Sequence, residues 1–317
     1  MQSLIFTANV DRHPYRFDYL HEFQSAFVEA FPTAVVRPGA RIGLKRECLR
    51  VFRHAYRHLP LHCVGLPESI RRGSSFTAIC GNDFAYCVPS SLVAKNSYLY
   101  IFDAWPRNNQ LLVDWVRLFA IKKVFFSALQ SAETFNRFLL EKEPKGVWVP
   151  EGIYAQNYTV RPHANKDIDV IQFGRRYEKY HARIVPALRT GGYVHYDTTG
   201  RPNEPLSEPL SRAKISICFP CNLTHPERSE HISTMTQRYL QSMVSKCLVV
   251  GSLPYDMGFL FDYNPVVEVD PNNPEAQILD ILRNFGDYIP VIERNYASII
   301  AGHQWSNRME TIRQYLE

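Results

Sequence analysis

The sequence lacks the signatures of several large enzyme classes. It has no Gly-x-x-x-x-Gly-Lys-Ser/Thr loop, no Gly-x-Gly-x-x-Gly after its first apolar run, no Gly-x-Ser-x-Gly and no His-Glu-x-x-His. P-loop nucleotidase, dinucleotide dehydrogenase, serine hydrolase and zinc protease all lose support with them. No stretch reaches the roughly 18 apolar residues of a spanning helix. The opening "MQSLIFTANVDRHPYRFDY" has neither the basic start nor the apolar run of a secretory leader. Seven cysteines, an odd number without framework spacing, predict reduced thiols and a cytoplasmic chain. The pair Cys218 and Cys221 in "CFPC" has a redox spacing, but it follows the apolar run "KISICF" with no helix predicted behind it, so a redox role is disfavoured. There is no internal repeat and no low-complexity tract.

What is present is an ordinary globular composition over 317 residues, enough for two domains of about 150 residues each. The net charge of +5 is uneven. Residues 1–153 carry 19 Lys and Arg against 13 Asp and Glu, and the remainder carries 17 against 18. Much of the excess lies in "ARIGLKRECLRVFRHAYRHL", where Arg46, Arg50, Arg53 and Arg57 step along one helical face. Such a face suits anionic lipid headgroups or phosphates, and it equally suits plain solvation. No aromatic stacking series accompanies it, so no nucleic-acid partner is expected.

Short apolar runs alternate with helical lengths almost throughout. "SLIFTA", "TAVV", "FTAIC", "YLYIF", "KVFFSA" and "GVWVP" read as strands of a first domain, with an amphipathic helix around Leu20 to Phe31. After the break "NYTVRPHANKD" the alternation restarts with "IDVIQFG", a helix to about Leu188, "YVHYD", "KISICF", "CLVVG" and "PVVEV". The remainder is helical to the end, broken near Gly302. Strands alternating with helices predict parallel sheets. The fold class expected is therefore α/β, with two Rossmann-like domains facing a cleft and a terminal helix that crosses back to the first.

Sheets of this kind bind ligands beyond the carboxyl ends of their strands. Three groups of residues meet that criterion. In "QFGRRYEKYH", Gly174 ends a strand, and Arg175, Arg176 and Lys179 open a helix, a combination suited to an anion such as a diphosphate or to an exposed charged turn. In "STMTQRYLQ", Ser233, Thr234, Thr236 and Gln237 offer hydroxyls and free amides at a helix start, while Arg238 and Gln241 lie three apart on one side. In the first domain, Asp11 and His13 follow strand one, Asp83 follows "TAICGN", and Asp103 follows "YLYIF" with Trp105 behind it. Each of these could serve as general base, or simply cap or solvate a loop.

Three stretches together resemble GT-B glycosyltransferases, specifically the "glycosyl transferases group 1" type related to glycosyltransferase family 4. They are "VFFSALQSAETFN…GVWVPEGIYAQNY", "VIQFGRRYEKYHARIVPAL" and "RYLQSMVSKCLVVGSLPYDMGFLFDYNPVVEVD", with "HQWSNRMETIRQYLE" matching the family's last helix. The resemblance covers residues 120–317, and the first 120 fit in architecture. It implies an acceptor-side domain over 1–153, a nucleotide-sugar domain over 154–300 and a terminal helix over 301–317 that packs back on the first domain. It also implies that Gly174, Arg175, Arg176 and Lys179 meet the donor diphosphate, with Ser233, Thr234, Arg238 and Gln241 completing the donor site. The family's Glu-x7-Glu acids fall at Ser233 and Gln241, so both are replaced. Gln can still donate to and accept from a ribose diol.

The function expected is transfer of a sugar from a nucleotide donor to the hydroxyl of a glycan, glycolipid or polysaccharide. The resemblance implies retention of configuration. No Asp-x-Asp stands at a strand's carboxyl end, in keeping with a metal-independent reaction, and no cofactor is expected beyond the nucleotide-sugar substrate. Asp11, His13 and Asp103 are the base candidates if the reaction inverts. The basic helix 41–57 suggests peripheral contact with the inner face of a membrane. The main alternative is a non-catalytic nucleotide-sugar-binding or scaffold subunit of a glycosylation complex. Sugar epimerisation or phosphorolysis, and transfer to nucleic acid, are further readings with less behind them.

Overall fold

The computed structural model describes residues 4–8, 18–38, 69–81, 83–141, 143–198 and 205–316. The chain forms two compact units, one of Met1–Pro150 with Met309–Glu317 and one of Glu151–Arg308.

In the first unit six parallel strands stand in the order β2-β1-β3-β4-β5-β6. They are β1 (Leu4–Ala8), β2 (Val35–Pro38), β3 (Ser74–Cys80), β4 (Asn96–Phe102), β5 (Lys123–Phe126) and β6 (Gly146–Trp148). Every residue of β4 is buried, as expected of a central strand covered on both faces. On one face the Asp18–Ala30 helix brings Leu20, Phe23 and Phe27, at helical spacing, onto the sheet. Phe27 stacks on Phe6 with ring centroids 4.4 Å apart, and Phe23 meets Tyr100 at 4.6 Å. On the other, Ile79, Leu99 and Ile101 share a core with Leu112 and Val116 of the Asn109–Leu118 helix and Phe135 of the Leu129–Leu139 helix. The end of the chain belongs to this unit. There Arg313 Nη2 donates to Ala30 O at 2.8 Å, and the Tyr315 ring stands edge-on to Phe125.

The second unit has five parallel strands in the order β11-β10-β9-β7-β8. They are β7 (Ile168–Gln172), β8 (His195–Asp197), β9 (Ala213–Cys218), β10 (Leu248–Gly251) and β11 (Val267–Glu268). Both sheets are wound alike: the chain starts inside, adds one strand on one side, then turns back and adds the rest on the other. Side chains of β10 alternate between two cores, as the period of a strand requires. Leu248 and Val250 pack with Ile184 and Leu188 of the Glu178–Thr190 helix, and Val249 packs with Tyr239 and Met243 of the Gln237–Val244 helix. The α/β class and the paired Rossmann-like units expected from the sequence are those of the structure.

Two local expectations differ. The run "YVHYD" forms a strand only from His195, because Tyr193 N–H still closes the preceding helix onto Leu188 O. Behind "CFPC" the chain does turn into a short helix, Cys221–Thr224, with Leu223 N–H donating to Pro220 O. Pro220 has φ −70°, the angle its ring imposes, and that angle suits a helix entry. All five described cysteines are free thiols.

Candidate functional site

The winding of the second sheet reverses between β7 and β9, the switch point at which the loops leaving the carboxyl ends of an open sheet diverge and a crevice is expected. The residues that line it come from three places: the turn after β7, the loop after β9, and the helix that precedes β10.

After β7 the chain turns at Gly174, whose φ of +67° is a left-handed conformation that glycine adopts without strain. A Cβ there would also lie 2.7 Å from Arg238 Cδ, so the glycine makes room for that side chain. Arg238, the second residue of the Gln237–Val244 helix, reaches across the crevice. Its Nη1 donates to Arg175 O at 3.0 Å and its Nη2 to Phe219 O at 2.9 Å, which ties the loop after β7 to the loop after β9. The residue is 9% exposed. Among the described residues no carboxylate pairs with it. Burial, and after it the charge of Arg175, depress its basicity. A buried guanidinium without a counter-ion is costly to hold and favours an anion in its neighbourhood.

Arg175 is half-buried beside it. Arg176, next along, is already engaged: Nε donates to Glu178 Oε1 at 2.7 Å and Nη1 to Asp197 Oδ2 at 3.0 Å. Lys179 is exposed in the first turn of the Glu178–Thr190 helix.

The segment leading into the Gln237–Val244 helix is fastened from below. Ser233 Oγ accepts from Tyr255 N–H at 3.3 Å. Thr234 O–H donates to Asp256 Oδ2, and Met235 N–H to Asp256 Oδ1, both at 2.6 Å. Asp256 is wholly buried, and desolvation lifts its pKa to about 6 against the pull of those hydrogen bonds. Thr236, the N-cap residue, is buried with its Oγ1 unpartnered among the described residues. The helix start is not a row of open amides, because Glu151 Oε2 accepts from Gln237 N–H at 2.6 Å. Gln241 is 2% exposed, and its Nε2 donates to Tyr158 OH at 2.9 Å, so a ribose would have to displace Tyr158 to reach that amide.

The sequence-derived residues of the second unit therefore lie on the carboxyl edge of one sheet. Gly174, Arg175 and Arg238 meet directly, while Ser233 and Thr234 join the Asp256 clasp and Gln241 faces Tyr158. In the first unit Asp103 follows β4 with φ +54°, a conformation uncommon outside glycine and less rare for Asp than for most residues. Asp83 lies beyond the Gly81 turn. Asp11, His13 and the basic stretch 41–57 lie outside the described residues. Sequence reasoning missed Asp256, Asp197, Glu151 and Tyr158. The first two follow or end strands, the same signal that singled out Asp103. Glu151 and Tyr158 carry no local signal. Among the described residues no three His, Cys, Asp or Glu side chains converge as metal ligands would, and no helix is long and apolar enough to cross a membrane.

No family model matches the sequence, and no curated protein matches it at significance. Solved structures do match the fold. Anabaena HepE, solved with UDP and glucose, has TM-score 0.63 at 9% identity, covering 100% of this chain and 99% of HepE. Sucrose-phosphate synthase from Thermosynechococcus elongatus has TM-score 0.62 at 10% identity over 99% and 98%. A glycosyltransferase from Rickettsia africae has TM-score 0.57 at 12% identity over 99% and 97%. At such identities the likeness is one of fold, and that fold, two Rossmann-like units in one chain wound as these are, is GT-B.

Proposed function

We propose that the protein is a glycosyltransferase that moves a sugar from a nucleotide-diphosphate donor to an acceptor hydroxyl. The observation that carries this reading is the buried Arg238 guanidinium, without a counter-ion among the described residues, at the switch point of the second sheet. The HepE structure bound to UDP-glucose supports a nucleotide-sugar as the class of donor.

In this reading the donor diphosphate lies over Arg175 and Arg238, with Lys179 and Arg176 at its edge. Negative charge grows on the diphosphate as the anomeric bond breaks. Fixed cations in a crevice of low dielectric stabilise that charge more in the transition state than in the ground state. Arg238 is pre-organised for this, because its two backbone contacts set its position before any ligand arrives. The reaction is read as retaining and metal-independent, with Gln241 and Ser233 near the ribose and sugar. If it inverts, Asp103, Asp11 and His13 are the candidate bases. The acceptor is a glycan, glycolipid or polysaccharide, and the basic stretch 41–57 would bring the chain to an inner membrane face.

A second reading, a non-catalytic nucleotide-sugar-binding or scaffold subunit, draws support from Gln241. Its amide is committed to Tyr158 where the family resemblance expects a carboxylate. Thermal unfolding with UDP, GDP, dTDP and CMP tests both. A nucleotide at a hundred times its dissociation constant stabilises by about 2.7 kcal/mol. The expected result is a shift with one nucleotide that Arg175→Ala abolishes, accompanied by slow hydrolysis of the matching nucleotide-sugar. Binding without hydrolysis or transfer favours the scaffold, and no shift with any nucleotide overturns the donor site.

A further inference from the structure

Arg176 stands next to Arg175, yet its guanidinium points into an ion-pair cluster. Asp197 ends β8, the edge neighbour of β7, so its carboxylate lies at the same end of the sheet as the donor crevice. It accepts from Arg176 Nη1 at 3.0 Å. A second group competes for the same oxygen. His181 Nε2, on the first turns of the Glu178–Thr190 helix, lies 3.8 Å from Asp197 Oδ2 and 3.5 Å from Arg176 Nη1. A guanidinium can only donate, so this contact assigns Nε2 the lone pair and gives the neutral ring its proton on Nδ1.

Among the described residues the other charged groups around His181 are few. Glu178, on the same helix, pairs with Arg176 Nε but is largely exposed and screened. His195, on β8, stands edge-on to His181 with centroids 5.2 Å apart. Burial first, then the Arg176 charge, hold His181 below the ordinary histidine range, while Asp197 and Glu178 pull the other way. Burial and the neighbouring His181 do the same to His195. At neutral pH the Arg176–Asp197 pair therefore stands.

We propose that Asp197 is a positioning residue for the donor site: it holds Arg176 back from the donor phosphates while His181 is neutral, and lets it go when a proton on His181 Nε2 takes its place. The change is small and balanced. A proton from solvent binds Nε2, the new N–H donates to Asp197 Oδ2 after a shift of about 1 Å, and Arg176 Nη1 loses the Nε2 lone pair and must share Asp197 with a second cation. The guanidinium, now beside an imidazolium and held mainly by the exposed Glu178, swings toward a donor phosphate when one is present. This rests on the donor reading given above.

The sign follows directly. Donor binding strengthens as pH falls through the His181 titration. UDP-glucose suits the test, because its diphosphate diester keeps two negative charges, one on each phosphate, across that range. Calorimetric titration of the full chain between pH 5.0 and 8.0 is expected to show affinity about three- to tenfold higher at the acid end, the range of a partly exposed charge-assisted contact. Asp197→Asn should bind more tightly than the unaltered chain at pH 7.5, with a flatter profile. Arg176→Gln should be flat and weak. Asp256 and His195, the other groups titrating near the site, are left intact by both substitutions, so a slope that survives Arg176→Gln overturns the proposal. So does a flat profile in the unaltered chain. His181 is followed in parallel by its imidazole NMR signals, expected to titrate at higher pH in Arg176→Gln and at lower pH in Asp197→Asn. If those shifts appear while no form binds UDP-glucose or any other nucleotide-sugar, the donor reading fails and the cluster stands as structure alone. If UDP-glucose binds and the variants leave its profile unmoved, this inference alone fails.

Discussion

Asp256 is a wholly buried carboxylate with no cation paired to it among the described residues, and what it does depends on its charge. Its folded pKa of about 6 lies above the unfolded value near 3.8. The folded state therefore binds the proton more tightly, and stability falls as pH rises from about 4 to 6, by up to about 3 kcal/mol. An asparagine fits the same contacts, accepting from Met235 N–H and donating to Thr234 Oγ1. Asp256→Asn is expected to remove that slope in urea unfolding followed across pH 4 to 7; a variant that keeps it would show another group to be responsible. His303 runs the opposite way. Burial and Arg308, whose Nη2 donates to Nδ1 at 2.9 Å, lower its pKa to about 4. Its share of stability is complete above the unfolded value near 6.5 and is lost as pH falls toward 4. At this scale the sequence is legible where backbone geometry forces a residue type. Gly251 reads as the end of a buried strand, and the structure adds the reason: a Cβ there would fall 1.7 Å from Cys218 O on β9. Gly251→Ala should therefore part β9 from β10, which a large loss of soluble, folded chain would report.

The Gln237–Val244 helix shows how far an element can be read. Its periodicity predicts a helix running into a buried strand, and that is what forms. Periodicity also sets Arg238 and Gln241 on one side. It does not reveal that all eight residues are buried, so that each polar one needs its own partner. Those partners come from far along the chain: Arg175 and Phe219 for Arg238, Tyr158 for Gln241, Glu151 for the first amide. No local pattern encodes such contacts, because they exist only once the sheet has brought its loops together. A carboxylate at a helix N-terminus is worth about 0.3–1 kcal/mol at exposed sites and up to about 2 when partly buried. Glu151→Ala should cost about 1–2 kcal/mol in urea unfolding, and Glu151→Gln, which keeps an acceptor, less than half of that. Equal losses in the two variants would mean that Glu151 acts through packing and not as a cap.

Across the whole molecule the alternation of strand and helix predicts two parallel sheets, and the sheets are there with the same winding. What the alternation does not give is strand order, which depends on which side each crossover packs. Each unit has its own core, so two-state unfolding is not expected. Urea should resolve two transitions, and a bound nucleotide should raise the midpoint of the one that reports the second unit. A nucleotide that moved both equally, or the other alone, would place the donor site elsewhere. The basic excess of the first 153 residues belongs to this scale too. If residues 41–57 meet a membrane, replacing Arg46, Arg50, Arg53 and Arg57 with Glu should abolish retention on vesicles containing anionic lipid, and unchanged retention would remove the membrane from the proposal.

The first unit is assembled from both ends of the chain. Its strands are all made within the first 150 residues, but Phe31 and Phe125 wait for Arg313 and Tyr315. On a ribosome, then, the unit synthesised first is the one finished last. Until residue 315 emerges, its aromatic face is without that cover, and the second unit has every one of its residues in hand sooner. Loss of residues 309–317 would therefore leave every residue of the second unit in place and injure the first.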